Sequence, residues 1–232
     1  ITKEPLRNSL QLGHTTNIME SGDTEFNTSL NGSFVSDDHR AGAYLFGMVK
    51  DRDAYDRNGD GFTDITRMQS ETIGFRGYYK TTAHSKLTAE YHHIHEYRRG
   101  GDKLDQPPHE AMIAETTDHL INSGGLSFEG TSKDSRHRYS VFASAQATNR
   151  DSYYGANMDP NAYGKTKGVT AVAGAQYLYR LKIFELTTGL EYSYDYLFDN
   201  PIGYVAQGFT SMQTKQHIHN ASVFAQGEFK FN

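Results

Sequence analysis

The stretch Ile183-Phe184-Glu185-Leu186-Thr187-Thr188-Gly189-Leu190-Glu191-Tyr192-Ser193-Tyr194-Asp195-Tyr196-Leu197-Phe198 decides the fold class. Phe184, Leu186, Thr188, Leu190, Tyr192, Tyr194, Tyr196 and Phe198 point one way, while Glu185, Thr187, Gly189, Glu191, Ser193 and Asp195 point the other. A period of two with one apolar face is a half-buried strand. Strands of soluble sheets usually have about five or six residues. Here about eleven residues, at ~3.3 Å rise and ~45° tilt, cover roughly 26 Å, enough to cross the apolar band of an outer membrane.

Other segments repeat the scheme. Ala221, Val223, Ala225, Gly227, Phe229 and Phe231 oppose Ser222, Gln226, Glu228 and Lys230. Tyr139, Val141, Ala143, Ala145 and Ala147 oppose Ser140, Ser144, Gln146 and Thr148, with Phe142 interrupting the polar side. Ile73, Phe75, Gly77 and Tyr79 oppose Thr72, Gly74, Arg76 and Lys80. Further strands are expected from near Leu6, Thr24, Arg40, Lys86, Leu120 and Thr166, about ten in all, each joined to its sequence neighbour as a meander.

The connections alternate in length. Tight turns are expected near Ser36–His39, Thr81–His84, Ser132–Ser135 and Tyr179–Lys182, and long loops over Asp51–Gln69, Tyr97–Glu115, Arg150–Lys165 and Asp199–Lys215. In an up-and-down antiparallel sheet every second connection lies at the same end. Short turns at one end and long loops at the other mark an outer-membrane barrel. The expected fold is therefore all-β: an antiparallel up-and-down transmembrane β-barrel, partial, with about ten strands of a larger barrel. Leu186, Leu190, Val141, Phe229 and Ile73 are expected to contact lipid. A soluble β-sandwich or prism with long loops is the competing architecture.

Composition agrees. With Gly counted in place of Tyr the apolar share is about 39%, against roughly 45–50% in soluble domains. A barrel needs apolar residues only at alternate positions of its outer band. Tyr (16) carries the aromatic character in the absence of Trp, and suits a surface apolar in body and wet at its tip. A net charge of -5 has the wrong sign for binding nucleic acid. Without Cys, disulfides, zinc–thiolate sites and cysteine nucleophiles are excluded. No run reaches the ~18 apolar residues of a spanning helix. The start at Ile1 and the end in mid-alternation at Phe229-Lys230-Phe231-Asn232 read as a fragment.

The sharpest local motif is Asp56-Arg57-Asn58-Gly59-Asp60-Gly61-Phe62-Thr63-Asp64. Side-chain oxygens at positions 1, 3, 5 and 9, with Gly at 6, match a calcium-binding turn in which Asp56, Asn58, Asp60 and Asp64 and the Phe62 carbonyl would be ligands. Arg67 stands where an EF-hand places its bidentate Glu, so a calcium loop would need an oxygen from Asp51, Asp53 or another loop. A water-exposed Asp/Asn/Gly turn is the alternative. His93 with His95, and His217 with His219, share strand faces and could each grip a metal, or be exposed or lumen-facing histidines. Arg98, Arg99, Tyr153 and Tyr154 are candidate ligand contacts, chosen for their chemistry and expected loop positions; Arg150 is a further basic residue beside them. No nucleophile elbow, phosphate loop or metalloprotease motif occurs, which argues against an enzyme.

Four pieces in order, Tyr55–Asp64, Leu87-Thr88-Ala89-Glu90-Tyr91-His92-His93, Tyr97-Arg98-Arg99-Gly100-Gly101 and Pro107-Pro108-His109-Glu110-Ala111, resemble the barrels of TonB-dependent outer-membrane receptors. The resemblance runs from about Ser29 to the end. It implies active uptake of a scarce nutrient, a ferric siderophore-like chelate or cobalamin, through a 22-stranded barrel that houses an N-terminal plug. It also implies energy from TonB acting on that plug, and a place in the bacterial outer membrane. Calcium-stabilised loops belong to the cobalamin-receptor branch. About ten strands and no plug ahead of Ile1 make residues 1–232 one part of such a barrel domain, unable to transport alone. The alternatives from other classes are a structural or adhesive calcium-stabilised β-protein and a passive porin.

Overall fold

The structure, a computed structural model, describes residues 4–200 and 213–230. Ten strands follow in chain order: β1 (Ser9–Ile18), β2 (Thr24–Val35), β3 (Ala41–Arg52), β4 (Arg67–Thr82), β5 (Ser85–Gly101), β6 (Ile113–Thr131), β7 (His137–Ala156), β8 (Tyr163–Arg180), β9 (Phe184–Asn200) and β10 (Thr214–Phe229). They form one sheet in the order β1 to β10, every pair antiparallel. No ladder joins β10 to β1 among the described residues, so the sheet is open, as a partial barrel must be.

The registers convert period-two alternation into rows that cross the whole sheet. Val223, Leu190, Ala175, Val141, Phe128, Leu87, Tyr79 and Ala41 are successive cross-strand partners from β10 to β3. A row of the other parity reads Asp199, Thr166, Arg150, His119, Glu96, Ser70, Lys50, Asn27 and Thr15 from β9 to β1. One face is thus apolar and open to its surroundings, with Leu190 at 57% and Ile73 at 62% exposure, and the other is polar. On the polar face the charges pair across strands, as in Lys50–Glu25 (3.2 Å) and Arg76–Glu90 (2.8 Å).

Aromatic rings on this sheet lie over glycines of neighbouring strands. Phe142, which breaks the polar pattern of β7, sits opposite Gly174, and Phe46 sits opposite Gly74. Each ring fills the space that a side chain at the glycine would need, which shields the exposed strand backbone.

The short turns fall where expected, at residues 36–40, 83–84, 132–136 and 181–183. Two are the same device. Ser36 Oγ donates to Asp38 (2.6 Å) and Asp38 accepts the Arg40 amide (3.0 Å); Ser132, Asp134 and Arg136 repeat this, with His39 and Ser135 in the left-handed region. The opposite end departs from expectation. Its described connections are 19–23, 53–66, 102–112 and 157–162, the last two shorter than expected because β5, β6, β7 and β8 continue their ladders well past the expected strand ends. Most of the expected Asp199–Lys215 loop, residues 201–212, lies outside the described residues.

A methyl group at residue 74 would stand 2.8 Å from the Tyr91 carbonyl oxygen as well as against the Phe46 ring. Gly74→Ala is therefore expected to destabilise the folded barrel by about 1–3 kcal/mol, read as a lower urea midpoint of the full-length protein in detergent micelles. At Gly47 the nearest obstacle is 3.6 Å away, so Gly47→Ala should shift the midpoint far less.

Candidate functional site

Near the long-connection end the polar face is hollowed into a recess of about 510 Å³. Three adjacent rows build it. Glu96, His119 and Arg150 are direct partners across β5, β6 and β7; Arg98, Thr117 and Ser152 form the next row; Gly100, Glu115 and Tyr154 form the third. Arg98, Arg150, His119, Tyr154, Glu96 and Glu115 all line the hollow. Arg98 Nε donates to Glu96 at 2.8 Å. Arg150 donates from Nη2 to Thr166 Oγ1 at 2.8 Å, and that hydroxyl donates to Asp199 at 2.6 Å. The Arg150 Nε is buried with no partner among the described residues. The recess thus offers two guanidinium groups, an imidazole and a phenol beside two carboxylates. Such a set suits a polar, charged ligand bound through several hydrogen bonds.

Of the four expected contacts, the recess collects Arg98 and Tyr154 and not Arg99 and Tyr153. All four lie in strands, not loops, and neighbours in a strand face opposite ways. Arg99 and Tyr153 are each 1% exposed. Tyr153 packs with Ala111, Ala114 and Ala162, meets Tyr163 edge-on at 4.9 Å, and donates its hydroxyl to the Asp159 carbonyl at 2.9 Å. Arg99 donates to the carbonyls of Gly100 and Asp102. Both hold the long connections against the sheet, aided by Asn157 and Met158 amides bonded to the Met112 and Ala111 carbonyls. His119, Glu96 and Glu115 were missed by sequence reading; counting in twos from Arg98 and Arg150 along paired strands would have found them.

The Asp56 turn closes on itself. Asp56 accepts the amides of Gly59 and Gly61 (both 2.8 Å), Asn58 accepts that of Asp60 (3.0 Å), Asp60 accepts that of Phe62 (2.9 Å) and Asp64 accepts that of Arg57 (2.8 Å). Gly59 and Gly61 adopt positive φ, 73° and 89°, which lets the chain fold around the carboxylates. Among the described residues no three acidic or imidazole side chains converge as a metal site. The side chains of Asp56, Asn58, Asp60 and Asp64, the expected calcium donors together with the Phe62 carbonyl, thus accept the turn's own amides in this arrangement. The paired histidines share faces as expected, yet their rings bond to neighbours: His93 to Asn122 (2.8 Å), His95 to Asp118 (2.9 Å), His219 to Tyr192 (2.7 Å) and His217 to Tyr194 (3.1 Å).

No family model matches the chain, and no curated protein matches it in sequence. Solved structures do match in fold. The siderophore receptor PirA from Acinetobacter baumannii superposes over 100% of this chain with a TM-score of 0.66 at 16% identity. The copper transporter OprC superposes over 90% with a TM-score of 0.62 at 14% identity. The fold is that of a TonB-dependent receptor barrel, in part. This chain spans 38% of the length of PirA and 34% of that of OprC. In a membrane barrel of this fold the apolar face is outermost and the polar face lines the interior, which turns the recess inward, beside the long connections.

The amide bonds from Gly61 and Gly59 hold the Asp56 carboxyl below the ordinary aspartate pKa. A folded-state pKa below the unfolded value stabilises the turn above about pH 4, and that stabilisation fades as pH falls through the lower folded value. Hydrogen exchange of the Gly59 and Gly61 amides, corrected for intrinsic rates, is expected to show protection near neutral pH, loss of it as pH falls below the ordinary aspartate range, and none at any pH in Asp56→Ala. Protection that persists in the variant would rule out the carboxylate as the turn's organiser.

Proposed function

We propose that this chain forms part of the wall of an outer-membrane receptor that captures a scarce nutrient, a metal ion or its anionic chelate, and imports it with energy drawn through TonB. The observation that carries this reading is the recess, where Arg98, Arg150, His119 and Tyr154 converge on the inward face of a barrel wall. Guanidinium groups bind carboxylate and similar oxyanions in bidentate fashion, and the imidazole adds a metal-compatible nitrogen. The two similar solved structures are named as a siderophore receptor and a copper transporter, which favours a metal chelate over cobalamin as cargo. The long connections then face outside the cell, and the recess is an inner station for cargo that has passed them. The chain contributes binding and shape, with no catalytic chemistry.

The test uses the full-length receptor and a radiolabelled ferric chelate bearing carboxylates. Arg98→Gln and Arg150→Gln should each weaken binding by about tenfold, the low end for a charged hydrogen bond at a partly solvated site. Arg136→Gln, at the short-turn end, should leave binding unchanged. Wild-type affinity in both recess variants would sink the assignment, and uptake that persists in cells lacking TonB would favour a passive pore.

A further inference from the structure

The apolar face carries a second feature, away from the recess. Two adjoining hollows of about 480 and 600 Å³ run along β7 and β8, with Ala143, Ala171 and Ala173 as floor and Leu126, Leu190 and Tyr192 as walls. Small residues at these successive positions leave a furrow between bulkier neighbours. Following β8 upward from Ala171 on the same face leads to Val169 and then Lys167, about 13 Å along the strand at ~3.3 Å per residue. The registers place Lys167, Phe198 and Lys215 in one row across β8, β9 and β10, directly above the row of Val169, Tyr196 and His217. Tyr192, Tyr194 and Tyr196 lie on this face with their rings against His217 and His219, an aromatic band of the kind found at a membrane–water boundary. Lys167 and Lys215 are exposed, and among the described residues neither meets a carboxylate. Their neighbour Lys165 differs, being paired with Asp151 at 3.1 Å.

We propose that this face holds one phosphate-bearing lipid of the outer leaflet, its acyl chain lying in the alanine furrow and its headgroup phosphate above Phe198 between Lys167 and Lys215. The hollows are largely apolar, and Lys167, about 13 Å along β8 from Ala171, and Lys215 stand beyond the aromatic band with no carboxylate partner among the described residues. That order of apolar groove, aromatic boundary and positive charge matches the order of chain, interface and phosphate in a lipid. A soluble anion has no use for the furrow, and a neutral lipid has none for the lysines. The proposal rests on the outer-membrane reading above.

The experiment reconstitutes the full-length protein into vesicles of phosphatidylcholine with a minor share of phosphatidic acid, then counts co-retained lipid by native mass spectrometry. Selective retention of phosphatidic acid is expected, falling about thirtyfold in Lys167→Gln/Lys215→Gln from the loss of two lysines beside an anionic headgroup. Ala173→Leu fills the furrow without changing charge and should also reduce retention, whereas Lys165→Gln should not. Retention unchanged in the double lysine variant overturns the site, and so does an equal loss in Lys165→Gln, which would signal diffuse charge. Displacement by inorganic phosphate with Ala173→Leu behaving as wild type would make it a free-phosphate site and overturn the lipid assignment. Insertion without selective retention removes this proposal alone; failure to insert into these vesicles removes the outer-membrane reading with it.

Discussion

Everything in this molecule depends on lateral hydrogen bonding between long antiparallel strands. In hydrocarbon a backbone amide or carbonyl left without a partner costs several kcal/mol, so each strand must be paired along the whole of its buried length. The uninterrupted ladders from β1 to β10 meet that demand, and they have a second consequence. Because the side-chain period is two and the pairing is in register, every row across the sheet has one character. The apolar row through Leu190 and Val141 and the polar row through Arg150 and Glu96 are products of the same constraint.

The polar face shows how charge is accommodated on such a wall. Most of its ions find a partner on the next strand or two residues along, as in Arg76–Glu90 and Arg98–Glu96. These pairs are partly solvated and each contributes little to stability; their importance is that they preset side-chain positions. In the recess Arg98 pairs with Glu96 and Arg150 with Asp199 at 3.8 Å, while the Arg150 Nε is buried with no partner among the described residues and Glu115, His119 and Tyr154 stand beside it. A ligand that completes those bonds would gain from groups already desolvated and held in place.

At the long-connection end the sheet behaves like a small soluble protein. Its connections are tied to one another by main-chain bonds, such as Thr63 to Gly101 and Asn157 to Met112, and its few fully buried side chains gather there around Tyr153 and Arg99. The Asp56 turn adds a carboxylate-centred knot on the same side. Extending the ladders to Gly101 and Ala156 places Arg98 and Tyr154 on paired strands and not in loops.

Much of the architecture was legible in the chain. Alternation in Ile183–Phe198, the spacing of the turns and the contrast between short and long connections specify strands, order and faces, because they depend only on local periodicity and turn chemistry. The candidate site was half legible. Arg98 and Tyr154 were singled out, but so were Arg99 and Tyr153, which the pleat turns to the opposite side and buries. That error came from reading the ends of β5 and β7 as loop, where parity has no meaning. Only the tertiary structure extends those ladders to Gly101 and Ala156 and so assigns each residue a face. Likewise only the pairing registers bring Glu96, His119 and Arg150 side by side from three separate strands, since register is settled by hydrogen bonds between distant segments and leaves no mark in any one of them.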